Sequence, residues 1–261
     1  MEHGDTAVSA ALKPGERLDD LQCSGLRLIQ RPDAFRFGTD SVLLADFAAP
    51  KRADRAVDLG CGTGAIATLM AAHCPGLHVD AVEIQPEIAD MAARSVRLNG
   101  MEDFIAVHCA DMRSVWRSLG AEKFSVVVCN PPYGRDGGGR VSASDTNRIA
   151  RHEGGLRPED VTQAASKLLK SGGKLCVVYP APRALEMMTA MEKHRLAPKR
   201  IRTVHGVEGR APRFVLLDAV KDGGPMLHWL EPLCLRRADG SFTAEWRRIY
   251  RMEEAGVQET E

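Results

Sequence analysis

The sequence predicts an open, doubly wound α/β fold, with a mostly parallel sheet, helices on both faces and a terminal antiparallel strand. Three observations lead there. Strand-like runs alternate with helix-period segments through the middle of the chain. Runs such as Val126-Val127-Val128 are apolar on both faces, and a strand buried on both faces belongs in a parallel sheet covered by helices. The last two runs, 199–204 and 213–220, are joined by a short Gly/Arg-rich link, whereas parallel neighbours need a dozen or more connecting residues.

Taken in order, residues 1–20 are polar and without periodicity, and are expected to fray. Strands are expected over 55–59, 79–83, 104–109, 124–129 and 174–179, and helices over 64–73, 86–98, 112–119 and 159–169. The second of these helices has Pro86 in its first turn and Asn99-Gly100 at its end, the residues that start and stop helices. Toward the C-terminus, 227–235 and 241–250 flank Ala238-Asp239-Gly240, a turn signal that predicts a hairpin. This divides the chain into an N-terminal extension with a helix (1–50), a central α/β domain (51–221) and an appended C-terminal hairpin (222–261).

Composition excludes several classes. Of 261 residues, 44% are apolar and 27% charged, which is ordinary globular usage and not that of a disordered chain. Thirty-five basic side chains balance thirty-five acidic ones, so polyanion binding must rest on a local patch. Aromatics, at 5%, are too few for a protein built mainly on base-stacking platforms. No secretory signal opens the sequence, and the uncharged stretch 59–72 is broken by Gly and Thr and too short to span a bilayer. Seven scattered cysteines without a Cys-x-x-Cys point to reduced thiols in a cytoplasmic protein with neither disulfide framework nor zinc site.

The first chemical motif is Asp58-Leu59-Gly60-Cys61-Gly62-Thr63-Gly64, which ends one strand and opens a helix. Glycines there let the backbone turn tightly and approach a ligand. The spacing lacks the last glycine of the dinucleotide fingerprint, and no Gly-Lys-Ser/Thr follows, so a triphosphate loop is excluded. Glu83 ends the second strand, where a carboxylate can accept both ribose hydroxyls. Asp111, after the third, can accept from an adenine amine. Three sites at successive strand ends converge on the crevice where such sheets bind ligands. With the antiparallel ending, the region 53–220 resembles the class I S-adenosylmethionine-dependent methyltransferases, whose sheet is Rossmann-like. That resemblance implies S-adenosylmethionine held by Asp58, Gly60, Gly62, Gly64, Glu83, Asp111 and Asn130, with no metal.

The second motif, Asn130-Pro131-Pro132-Tyr133, closes the fourth strand. It is shared by methyltransferases that modify adenine N6, guanine N2 or glutamine Nδ. Such a nitrogen is a poor nucleophile because its lone pair is delocalised. The Asn130 side-chain oxygen and the Pro131 carbonyl can each accept one of its N–H groups, favouring a pyramidal nitrogen, while Pro132 stiffens the turn and Tyr133 stacks on the flat substrate. The sulfonium is a good leaving group, so positioning rather than a strong base supplies the rate.

Phe35-Arg36-Phe37-Gly38-Thr39-Asp40 before the core, and Arg151-His152-Glu153 after a Gly/Ser-rich loop, extend the likeness over 18–250 to the bacterial tRNA1(Val) (adenine N6)-methyltransferases. These act on the adenosine 3′ to the anticodon of a valine tRNA. In that family the N-terminal helix closes over the methionine end of the cofactor, which makes Thr39 and Asp40 cofactor-side candidates and Phe37 a wall residue; the same Thr39-Asp40 pair also suits a helix N-cap. Arg151-His152-Glu153 lacks the second His of a zinc protease, and reads as a capped, salt-bridged structural segment or a substrate contact.

Residues 192–251 hold thirteen Lys and Arg against seven acids. Arg135, Arg140 and Arg148 crowd the loop after the catalytic motif, and with part of the 199–213 and 247–251 clusters they are candidates to face RNA phosphates. The alternatives are a ribosomal RNA guanine-N2 methyltransferase, a protein glutamine N5-methyltransferase, and a non-enzymatic RNA-binding module on the same fold. The glutamine enzymes carry an N-terminal helical domain of about seventy residues that the fifty here leave no room for, and a decayed enzyme would have lost the glycine loop or Asn130. The expected assembly is a monomer or weak homodimer.

Overall fold

The computed structural model describes residues 12–23, 25–32, 37–132 and 156–252. Its centre is a nine-stranded sheet built from β3 (Arg55–Leu59), β4 (His78–Glu83), β5 (Ile105–Cys109), β6 (Phe124–Cys129), β7 (Leu169–Pro180), β8 (Leu196–Val207), β9 (Phe214–Lys221), β10 (His228–Trp229) and β11 (Leu233–Arg236). The strands lie in the order β10-β8-β9-β7-β6-β3-β4-β5, with β11 also paired to β8. Pairs from β5 across to β7 are parallel. β9 then slots antiparallel between β7 and β8, as the short link before it requires.

Strand order reverses at β3, whose neighbours are β4 on one side and β6 on the other, and ligands of open α/β sheets bind in the crevice outside such a point. Register fixes what meets there. Leu59 is opposite both Val82 and Cys129, so the glycine loop, Glu83 and Asn130 all begin one residue further on at the same height.

Both faces of the sheet are covered. Val126 and Val128 enter one core cluster and Val127 and Cys129 the other, all at 1% exposure or less, which is why the valine run carries no polar alternation. On the first face lie α1 (Thr39–Ala48), α2 (Ala65–His73) and α3 (Pro86–Leu98). On the second lie α5 (Pro158–Leu168) and α6 (Ala184–Lys193). Between β5 and β6, only Trp116–Leu119 of the expected 112–119 helix forms one, labelled α4. Asp111 folds its side chain back on the Arg113 N–H there (2.9 Å) and holds the preceding residues as a turn.

Two expectations are corrected at the ends. The described part of the N-terminus does not fray: β1 (Arg17–Asp20) and β2 (Arg27–Gln30) form an antiparallel hairpin. Partners far along the chain hold it. Arg94 of α3 binds Glu16 at 2.6 Å, and the Asn99 side chain acts as a surrogate strand, accepting from Arg27 N and donating to Arg27 O. At the C-terminus the second hairpin arm is a helix, α7 (Ala244–Ile249). The Asp-Gly turn does form, closed by a single bridge between Arg236 and Phe242. Thr243 then caps Trp246 N, and Trp246, Ile249 and Tyr250 bury at helical spacing. The first arm also differs, since β10 and β11 each pair parallel with β8.

Candidate active site

The glycine loop needs its glycines: Gly60, Gly62 and Gly64 have φ of +71°, +55° and +90°, where a side chain is strained. Gly60 N and Cys61 N donate to Val82 O at 2.8 and 2.9 Å, which ties the loop to β4. Glu83, 6% exposed, braces the other side. Its carboxylate accepts from Gly62 N at 3.1 Å and from Gln85 N at 2.9 Å, so it spans the loop and the turn into α3. A Cβ at Gly62 would meet nothing within 4 Å, leaving that side of the loop open to a ligand. Beside it, Ile84 is 54% exposed at the mouth of the crevice, and the Met112 methyl lies 3.4 Å from a Cβ built on Gly60. These two apolar residues suit the face of a planar ring, and no spacing in the sequence marks them.

Asp58 is fully buried. One carboxylate oxygen accepts from Ala67 N in the first turn of α2 at 3.2 Å, and the other has no partner among the described residues. Burial pushes its pKa up to about 7, against the lowering effect of the Ala67 N–H, and the charge of Glu83 adds to the rise. The orphaned oxygen and the open side of Gly62 together fit a ligand that brings polar groups to this loop. Burial also holds the thiols of Cys61 and Cys129 well above their ordinary range, so neither is a ready nucleophile. Asp111 is engaged already: Arg113 grips its carboxylate at 2.6–3.0 Å and holds its pKa below the usual range.

Asn130 follows β6 into the crevice. Its Nδ2 donates to Asp40 Oδ2 at 3.0 Å and to Ser41 Oγ at 3.4 Å, both at the start of α1. The Asp40 carboxylate therefore faces Asn130, and its Oδ1 accepts from Ser41 N at 2.9 Å. The N-cap of α1 is Gly38, not Thr39 or Asp40. The phenol of Tyr250, the residue after α7, lies near Thr39 and is pushed up by burial. Phe37 packs against the first core cluster. Gln30, 1% exposed, links the N-terminal hairpin to the loop. In the amide orientation that satisfies its neighbours it donates to Asp19 Oδ2 at 2.7 Å and accepts from Thr63 Oγ1 at 3.0 Å and Phe37 N at 3.3 Å. Tyr133, Arg135, Arg140, Arg148 and Arg151-His152-Glu153 lie outside the described residues.

Most of the C-terminal basic side chains are spent inside the molecule. Arg195, Arg200, Arg202, Lys221 and Arg248 pair with Asp222, Asp218, Glu245, Glu122 and Asp46 respectively, and Lys199 donates to Gly224 and Pro225 carbonyls. Arg210, Arg213, Arg236, Arg237 and Arg247 are exposed and form no ion pair with the described residues. The first four lie in the β8–β9 turn and at the end of β11, which share the Asn130 end of the sheet, and Glu208 N donates to Arg236 O at 2.9 Å to join the two segments. Among the described residues no group of three or more His, Cys, Asp or Glu is placed to hold a metal ion. No helix among them is long and apolar enough to cross a membrane.

The Asp58 environment has a measurable sign. A carboxyl whose folded pKa is raised binds more protons folded than unfolded, so its contribution to stability falls as pH rises from its unfolded value of 3.8 through about 7. Asp58→Asn should therefore raise the melting temperature of the unliganded protein at about pH 8 and change it little at about pH 4. A thermal-shift series against pH checks this.

Comparison with known proteins agrees with this fold. The family model described as "Methyltransferase small domain" matches residues 33–202. The chain is 29% identical over 228 residues to a Porphyromonas gingivalis protein named tRNA1(Val) (adenine(37)-N6)-methyltransferase, covering 83% of this chain and 87% of that one. A Yersinia pseudotuberculosis protein of the same name is 28% identical over 218 residues, covering 83% and 84%. Among solved structures, a predicted O-methyltransferase from Agrobacterium tumefaciens superposes with a TM-score of 0.68 at 27% identity, over 82% of this chain and 96% of that one. A Thermus thermophilus 16S rRNA N2 methyltransferase in complex with AdoMet and guanosine shares the fold, with a TM-score of 0.57 at 19% identity over 80% and 52%. The family match runs from before α1 through the glycine loop, Glu83 and Asn130 into β8, and the chain belongs to the methyltransferase small domain family.

Proposed function

We propose that this protein transfers a methyl group from S-adenosylmethionine to the exocyclic N6 of an adenosine in tRNA, 3′ to the anticodon of a valine tRNA. One observation carries the reading: Asn130 leaves the sheet at the height of the glycine loop and Glu83, with its amide nitrogen held by α1. The names of the Porphyromonas and Yersinia relatives support the choice of tRNA and of adenine N6.

When bound, S-adenosylmethionine supplies a methyl group on a sulfonium whose leaving group is a neutral thioether. Everything else is the work of this chain. Glu83 accepts the ribose hydroxyls, Asp58 and the backbone on the open side of the Gly60–Gly64 turn meet the polar methionine end, and Ile84 with Met112 forms the apolar surface for the adenine ring. Asp111, gripped by Arg113, sits at the adenine edge. The Asn130 side-chain oxygen and the Pro131 carbonyl accept the two N–H groups of the target amine, which aims its lone pair at the methyl. Pro132 stiffens that turn and Tyr133 stacks on the base. The proton leaves after transfer, so no strong base is needed.

Glu83→Ala removes charge-assisted hydrogen bonds of roughly 1.5–3 kcal/mol each, so calorimetry should show S-adenosylmethionine affinity at least about tenfold weaker. Asn130→Ala should cost about two or more decades of turnover while affinity for the cofactor stays nearly unchanged. A loss of only a few-fold, or a parallel loss of cofactor binding, contradicts the role given to Asn130.

For the RNA, the ridge of Arg210, Arg213, Arg236 and Arg237 is the phosphate-facing surface, and Arg135, Arg140 and Arg148, which follow the Asn130 motif in sequence, are assigned the same role. Charge reversal at two or three ridge positions should weaken tRNA binding and flatten its salt dependence by a slope of about 0.7–0.9 for each phosphate no longer neutralised, with cofactor binding unchanged. The deciding assay supplies labelled cofactor to separate pools of tRNA, ribosomal RNA and release factor, then identifies the methylated product. N6-methyladenosine in tRNA is expected. Label only in ribosomal guanosine or in protein glutamine overturns the substrate assignment.

A further inference from the structure

We propose that Asp40 is the positioning residue that decides which end of the Asn130 amide meets the substrate. An asparagine amide has two ends of nearly the same shape, one an acceptor and one a donor of two hydrogens. Turned one way, Asn130 accepts an N–H of the incoming nitrogen; turned the other, it puts donors against donors and repels it. This choice is made by what lies behind the amide.

The geometry behind it is one-sided. Asp40 Oδ2, 3.0 Å from Asn130 Nδ2, is a carboxylate oxygen and can only accept, and Ser41 Oγ at 3.4 Å backs it. The other Asp40 oxygen accepts from Ser41 N at 2.9 Å. Both carboxylate oxygens therefore serve as acceptors, and the Asn130 nitrogen is drawn toward α1. With its nitrogen end held on α1, the amide has its oxygen end turned away from Asp40, the orientation in which it can accept from a nucleophile that brings N–H groups. Tyr250, near Thr39, packs in the same core cluster as Val42 and Leu43 and supports this end of α1. The inference rests on the amine-methylation reading above, and it assigns Asp40 to Asn130 rather than to the cofactor.

The same hydrogen bonds make an isosteric test. In Asp40→Asn, the new amide must keep an oxygen toward Ser41 N, which turns its NH2 toward Asn130 and inverts the preference of the Asn130 amide. Turnover should fall about a hundredfold, close to the loss from Asn130→Ala, while the Kd for S-adenosylmethionine stays within about threefold. Asn130→Asp alone sets two carboxylates side by side and should be similarly impaired. The reciprocal pair, Asp40→Asn with Asn130→Asp, restores a donor behind and an acceptor in front, and should return to within about tenfold of the natural protein.

Rescue is the readout that a merely structural role for Asp40 does not produce. The idea is overturned if Asp40→Asn turns over normally, if its cofactor affinity falls in step with its turnover, or if the double variant is no better than either single one. All four proteins are assayed on whichever pool the natural protein labels, so label in ribosomal RNA or glutamine defeats the tRNA reading without touching this one. A second measurement needs no turnover: in protein labelled with 15N-asparagine, the Asn130 side-chain NH2 should be protected from hydrogen exchange, and Asp40→Ala should abolish that protection. Unchanged protection in Asp40→Ala also overturns the proposal.

Discussion

Parallel strands cannot set their ends independently, because each ladder transmits one strand's height to the next. The placement of Leu59 opposite both Val82 and Cys129 is the constraint from which the site follows. Shift β3 by one residue and the glycine loop loses Val82 O, the carbonyl that anchors both Gly60 N and Cys61 N. The slip would also exchange the side chains that β3 sends into the two cores, Ala56 on one face and Val57 with Leu59 on the other, so core packing and site geometry enforce the same register.

Around that level, the site is closed by parts that lie outside the sheet. The N-terminal hairpin reaches the loop through Gln30, α1 reaches Asn130 through Asp40, and α7 reaches α1 through Tyr250. Trp246 gives the last of these its stiffness, stacked between Phe242 at 3.7 Å and Tyr250 at 4.2 Å. Arg248 adds an exposed pair with Asp46 of α1, which contributes little by itself and helps set direction.

What the sequence made legible follows from how local each signal is. β3, β6 and α3 have the bounds expected of them, because a valine-rich run, Pro86 and Asn99-Gly100 all act within a few residues. The glycine loop and Asn130 were legible as candidates for the same reason, their chemistry being packed into adjacent positions. The β1–β2 hairpin was not, since its four-residue strands depend on Arg94 and Asn99 some seventy residues away. Gln30, Ser41, Ile84 and Met112 join the site across the fold and leave no spacing to read. At the C-terminus two local signals competed: the Asp-Gly turn formed, and the period of Trp246, Ile249 and Tyr250 then prevailed, because it buried three large side chains.

The packing of α7 against α1 has a consequence for synthesis. A ribosome delivers α1 early and Tyr250 more than two hundred residues later. β9, moreover, must enter between β7 and β8, so the sheet itself is completed only after residue 221 emerges. A nascent chain that already owns the glycine loop and Asn130 thus still lacks the clamp on α1. The parts that close the site are therefore assembled in an order opposite to their encoding, with α1 waiting for a helix made more than two hundred residues after it.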